Sequence, residues 1–314
     1  MKSYWRKISF FLCVVFLAGC SKQPATEGFR VVEDTITEEK LVIDGLQEEY
    51  AILFLTDTHM IVSSETDNEQ VVSNAKERLP MFQNEQGISS AEQFPVWMEY
   101  AVANDIDAVL FGGDIIDYPS EANLTYLQKN LDTLNMPYLY APGNHDWTYP
   151  WEYMTERAKE EYRPLLKPFM EENTAIHSLD MGEFIVVAID NSTNQVDDLV
   201  LEEYQNILAL GKPVIVVAHV PFLTQSVLTK ARENWNSPVV IGGGNYGGIY
   251  PNETSAAFVQ ATTGKESPVV AVLAGHVHFY DKDLIEGEKN VIQIVGDAGY
   301  KGKGILLRIS GSEE

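Results

Sequence analysis

Cysteine is almost missing from this 314-residue chain, which has only Cys13 and Cys20. A leader cleaved before Cys20 would leave one, so no disulfide is expected to hold the fold. Basic residues are scarce as well. The 22 Lys and Arg stand against 46 Asp and Glu, for a formal charge of −24, and loss of Lys2, Arg6 and Lys7 with a leader would add to the imbalance. Such a surface repels polyanions, so no nucleic acid is expected as a tightly held partner. Long apolar runs are also lacking. The run Ile8 to Leu17 is shorter than the roughly 20 residues that cross a bilayer, and no later segment is apolar and long enough to do so. There is no internal repeat and no low-complexity segment. The glycine-rich stretch Gly242-Gly-Gly-Asn-Tyr-Gly-Gly lacks the Lys and the strand-to-helix context of a nucleotide-binding loop. With 45% hydrophobic residues a sizeable core can form, and a single domain is expected.

Residues 1 to 19 read as a secretory signal, in which Lys2, Arg6 and Lys7 precede an apolar run ending Leu17-Ala18-Gly19-Cys20. That ending resembles a bacterial lipobox, where a small residue precedes a cysteine that is lipidated and becomes the new amino terminus. The resemblance implies an exported, extracytoplasmic lipoprotein, held to a membrane by a lipid anchor at Cys20 without spanning it. The alternatives are an ordinary signal peptide and a short membrane helix. Residues 20 to 49 are polar and acidic and read as a tether, followed by a possible edge strand around Leu41-Val-Ile. Residues 50 to 314 read as the folded domain.

Five short patterns then follow in order: Asp57-Thr-His59, Gly113-Asp114-Ile-Ile-Asp117, Gly143-Asn144-His145-Asp146, Ala218-His219 and Gly275-His276-Val-His278. Each sits where an apolar, β-branched run stops, such as Ala51-Ile-Leu-Phe-Leu, Ala108-Val-Leu-Phe and Val214-Ile-Val-Val. Helices are expected at 92–103, 124–134 and 197–210, alternating with strands at 138–140, 183–189, 269–273, 291–294 and 305–309. The alternation indicates an α/β class, and in α/β sheets ligand sites form beyond the strand carboxyl ends. His177 matches none of the patterns and reads as a structural or surface histidine. Residues 60 to 91 form an insertion directly after the first pattern.

This ordered set resembles the calcineurin-like metallophosphoesterase superfamily, whose blocks read DxH, GDxxD, GNH[DE], a lone His and GHxH, over roughly residues 50 to 280. The resemblance implies two mixed β-sheets packed as a sandwich with helices outside. It implies two divalent metal ions bridged by Asp114, with Asp57, His59 and His278 completing the first site and Asn144, His219 and His276 the second. A shell mixing imidazole with carboxylate suits Mn, Fe or Zn. The implied activity is hydrolysis of phosphomonoesters or phosphodiesters by metal-activated hydroxide, with His145 assisting the leaving oxygen. Asp146 is expected to orient His145, and Asp117 to hydrogen-bond a metal ligand.

Two features of spacing support this reading. If His276-Val277-His278 is extended, both imidazoles fall on one side. Glycines ahead of the ligand blocks would leave room for metal and phosphate. The rival from another class is a non-catalytic surface binding protein that keeps the fold; it would show a missing ligand, and none is missing. A nucleotidase of the same superfamily is less expected, because such enzymes usually carry a large additional carboxyl-terminal domain. The expected substrate is a small phosphoester whose organic part is sorted by the loops at 60 to 91 and 242 to 250. Monoester against diester preference and oligomeric state stay open.

Overall fold

The computed structural model describes residues 28–152, 154–241 and 250–312; the leader, Cys20 and most of the 242 to 250 loop lie outside them. Within the described residues the chain forms two mixed sheets. The first contains β1 (Ile36–Val42), β2 (Tyr50–Leu55), β3 (Ala108–Phe111), β4 (Tyr138–Tyr140) and the last strand β11 (Gly304–Ser310), in the order β1-β11-β2-β3-β4. The second contains β5 (Ile176–Asp180), β6 (Ile185–Ile189), β7 (Val214–Val217), β8 (Val269–Ala274), β9 (Asp281–Ile285) and β10 (Val291–Val295), in the order β5-β6-β7-β8-β10-β9. The helices are α1 (Glu69–Arg78), α2 (Ser90–Ala103), α3 (Glu121–Leu131), α4 (Glu156–Tyr162), α5 (Asp198–Leu208), α6 (Gln225–Trp235) and α7 (Glu253–Thr263).

Alternation along each strand explains the layers. In β2, Ile52 and Phe54 join Leu110, Val186, Ile215 and Leu273 in a core between the sheets. Leu53 and Leu55 face the other way, against Phe94, Trp97 and Leu127 of α2 and α3. On the far side, Val187 and Val216 pack with Val200, Tyr204 and Phe258 of α5 and α7. Strands covered on both faces must be apolar at every position, which is why they read as unbroken runs. The class and the sandwich with outer helices are thus those expected.

The boundary at residue 50 falls too late. β1 pairs in parallel with β11 over its whole length, so the expected edge strand is an integral part of the first sheet. The insertion, too, is structured: α1 is capped by Asn68, whose side chain accepts from Val71 N–H, and is followed by a short 3-10 turn, Leu79–Met81.

Candidate metal centre

β2, β3 and β4 run parallel in one sheet, and β6, β7 and β8 run parallel in the other. Their carboxyl ends therefore open on one edge, and the chain beyond them carries the ligand-type residues. Asp57 follows β2, Asp114 follows β3, Asn144 follows β4, His219 follows β7 and His276 follows β8.

These side chains gather into two adjoining groups, Asp57 with His59 and His278, and Asp114 with His219 and His276, while His145 lies close to His59 and Asp114, where the two groups meet. In the first, His59 Nε2 lies 3.2 Å from His278 Nε2 and His278 Nε2 lies 3.3 Å from Asp57 Oδ1. In the second, His276 Nδ1 lies 3.0 Å from His219 Nε2. Asp114 Oδ2 stands between the groups, 3.2 Å from His219 Nε2 and 3.8 Å from His59 Nε2. Its other oxygen accepts the His145 backbone N–H at 2.7 Å, which fixes the carboxylate with Oδ2 turned to both clusters.

The donor set fits two divalent cations. His59 Nδ1 is engaged by Asp117 Oδ1 at 3.2 Å and His219 Nδ1 by the Gly112 carbonyl at 2.8 Å, so each ring presents a bare Nε2 inward, as metal-binding imidazoles do. Asn144 Oδ1 is buried with no hydrogen-bond partner. A buried amide oxygen left unmatched is costly, and a cation at the second group would satisfy it.

Asp57, His59, Asp114, His276 and His278 all have positive φ, between 44° and 70°. Left-handed backbone at non-glycine residues is unfavourable and gathers at functional sites. It also corrects one expectation. The segment from His276 to His278 is not an extended stretch with both imidazoles on one side. Its left-handed bends send His276 to His219 and His278 to His59. The glycines do not leave open space either. A Cβ on Gly143 would collide with Asp114, and one on Gly275 with Thr56; protein atoms already fill the room that these glycines provide.

A model of the calcineurin-like phosphoesterases matches residues 50–280. The chain belongs to that family. Among solved structures it is similar to a dimetal phosphatase from Danio rerio, at 12% identity over 80% of this chain and 88% of that one, with a TM-score of 0.52. It is also similar to a purple acid phosphatase from seeds of yellow lupin, Lupinus luteus, at 17% identity over 84% of this chain and 46% of that one, with a TM-score of 0.51. At such identities the likeness establishes the fold. No curated protein sequence matches the chain. Family and donor set together make the cofactor of this phosphoesterase two divalent metal ions.

His145 stands beside the metal-ligand candidates and differs from them in its contacts. Its Nδ1 lies 3.1 Å from Asp117 Oδ1 and 3.2 Å from the Asp117 carbonyl. Burial opposes the charged ring, but Asp114 and Asp117 outweigh it and hold the imidazole up at about 9. Asp146 does not orient His145. Its carboxylate accepts the backbone N–H groups of Asp114, Ile115, Ile116 and Gly143 and the Tyr140 hydroxyl, at 2.7–3.1 Å. A carboxylate placed where four N–H groups converge is saturated by them; it ties the Asp114 loop to the Asn144 loop, and Asp117 takes over the histidine.

Asp117 serves His59 and His145 together and is itself clamped by Arg78, with Nε to Oδ2 at 2.5 Å and Nη2 to Oδ1 at 2.8 Å. Burial would raise its carboxyl, yet Arg78 first and the two histidines next hold it well below the usual carboxylate range. Phe82 stacks on the His59 ring at 4.3 Å and 8°. Both Arg78 and Phe82 come from the insertion and were missed in the sequence, where no motif or spacing marks them. His177, on the edge strand β5, is not brought to the site.

In front of the ligands lies a cleft of about 290 Å³, lined by Asp114, Asn144, His145, His276 and His278 together with Met154, Asn194, Trp235, Ser237 and Val239. No residue of the 60 to 91 insertion lines it. The insertion braces His59 and Asp117 from behind, so its expected part in sorting substrates is not what its position provides.

Proposed function

We propose that the protein hydrolyses small phosphomonoesters or phosphodiesters at this centre. The observation that supports it most directly is the position of Asp114 Oδ2 between two groups of buried ligand-type side chains. Asp57, His59 and His278 would hold one ion, Asn144, His219 and His276 the other, and Asp114 both. Two such ions, when bound, would supply an activated water and charge neutralisation for the phosphoryl oxygens. His145 lines the cleft with its ring 30% exposed and, protonated through Asp117, is placed to give a proton to the departing ester oxygen. Asp117 holds that ring in position, and Arg78 holds Asp117. The test is turnover of 4-nitrophenyl phosphate and bis(4-nitrophenyl) phosphate by the Mn-loaded protein. Neither being cleaved would sink the proposal.

We further propose that the enzyme works outside the cytoplasm, anchored by lipid at Cys20. The support is the basic-apolar-small order of residues 2 to 20. In a bacterial host, Cys20→Ser is expected to move the protein from the membrane fraction to the soluble one; unchanged retention would favour an uncleaved amino-terminal helix.

A further inference from the structure

Trp235 is 47% exposed at the cleft, whereas Trp97 and Trp147 are fully buried in the core. A single exposed aromatic is ordinary on a protein surface; this one forms a wall of the cleft beside the ligand-type residues, where aromatic side chains are a usual surface for a ligand to pack on. It is also rigidly held. It ends α6, where Asn236 adopts left-handed backbone and closes the helix with its N–H on the Arg232 carbonyl. Its indole N–H donates to the Val277 carbonyl at 2.9 Å, and its ring meets His278 edge-on at 5.3 Å. The indole is therefore fastened to the loop that carries His276 and His278, at a set distance from the reacting centre.

The remaining walls decide what can lie on it. Met154 and Val239 add apolar surface, and among the described residues no Lys or Arg lines the cleft. Arg78, behind the site, is occupied by both oxygens of Asp117, and residues 242 to 249 contain neither Lys nor Arg. Among the described residues lining the cleft, a second anionic group on a substrate would thus meet no cation beyond the histidines, and the nearby Lys301 is already held by the His278 carbonyl and Asp297, in a chain of charge −24. The volume is at the small end of ligand pockets, which run from about 300 Å³ upward, enough for a phosphoryl group and one ring.

Resting on the phosphoesterase reading, we propose that Trp235 is a specificity-determining platform and that the organic part of the substrate is an uncharged aromatic or hydrocarbon group packed against it. The test compares benzyl phosphate with ethyl phosphate, both of which release an alkoxide, each offered as the monoester and as its methyl diester. For the Mn-loaded protein, kcat/KM is expected to favour the benzyl ester about tenfold, mainly through KM. Trp235→Ala should reduce that preference by about three- to tenfold, and Trp235→Phe should keep most of it, in line with the usual strength of aromatic contacts. Metal content is measured in each variant, because Trp235 also touches the His278 loop. Should Trp235→Ala lose a metal, Val239→Ser reads the same preference from another wall and is expected to lower it as well.

Equal wild-type efficiency on the two esters would overturn the inference, as would an undiminished preference in metal-loaded Trp235→Ala, or in Val239→Ser where that variant is needed. Those outcomes leave the phosphoesterase reading standing. Absence of turnover with every ester would remove that reading and this inference with it.

Discussion

At the scale of single residues, the site separates groups that hold metal from groups that act beside it. His145→Ala removes a proton donor whose ring meets His59 edge-on at 4.6 Å but whose Nδ1 is taken by Asp117, so turnover should fall by about 10²–10⁴-fold with both metals retained. Asp114→Asn, by contrast, should lower metal loading itself. Parallel metal analysis and initial rates check both, and a metal lost from His145→Ala would reverse the assignment. Away from the centre, His177 is buried with no hydrogen bond to either ring nitrogen. Burial holds it down at about 4, from an ordinary 6.5, with only the Asn173 backbone pulling the other way. As pH falls, the unfolded chain takes up this proton first. The stabilisation from keeping the ring neutral is complete above about pH 6.5 and is lost on the way down to about 4, at no more than ~1.4 kcal/mol per pH unit. His177→Leu should flatten the loss of urea midpoint over that window; an unchanged slope would show that other groups carry it. The ligand-type residues were legible because their order and spacing are set by the strand ends. Arg78, Phe82 and Trp235 were not, because each reaches the site through tertiary packing of a helix or turn whose own sequence carries no spacing rule.

At the scale of elements, α2 shows how a locally unfavourable residue is accommodated. Ser89 and Glu92 form a reciprocal capping box at its start, worth about 1 kcal/mol. Pro95 lies inside the helix and cannot donate to the Ala91 carbonyl. The Tyr126 hydroxyl of α3 does so instead, at 2.9 Å. Tyr126→Phe should therefore cost about 1–2 kcal/mol in chemical denaturation, with the metal site unaffected; a loss near zero would mean that water replaces the hydroxyl. The insertion makes the opposite point. From sequence it is a polar excursion free to sort substrates, whereas its helix α1 delivers Arg78 to Asp117 and Phe82 follows to cover His59. Shortening it should lower turnover of 4-nitrophenyl phosphate as well as of more elaborate esters. A variant that changed only the ranking of esters would restore the simpler view. The expected helices at 92–103, 124–134 and 197–210 overlap α2, α3 and α5, with ends displaced by a few residues where caps and final turns decide. α1, α4, α6 and α7 were not anticipated.

At the scale of the whole molecule, the sandwich explains why the site exists where it does. Two sheets, with three neighbouring parallel strands in the first and four in the second, open their carboxyl ends on one edge, and each group of ligand-type residues draws on both sheets. Asp57 and His59 follow the first sheet's β2 while His278 follows β8 of the second; Asp114 follows β3 while His219 and His276 follow β7 and β8. Loosening the packing between the sheets would thus disturb both groups together. The α/β class was readable from the alternation of apolar runs and helical stripes, and the sandwich from the family resemblance, while the joining of β1 to β11 was not, since pairing between strands more than 260 residues apart leaves no local mark. The central claim is that the two ions act together on a phosphoester. Stepwise addition of Mn to chelator-stripped protein, with the rate of 4-nitrophenyl ester hydrolysis followed at each step, tests it most directly. The rate should stay low until the second equivalent is bound and level off at about two ions per chain; a plateau at one ion, or no hydrolysis at any loading, would contradict it.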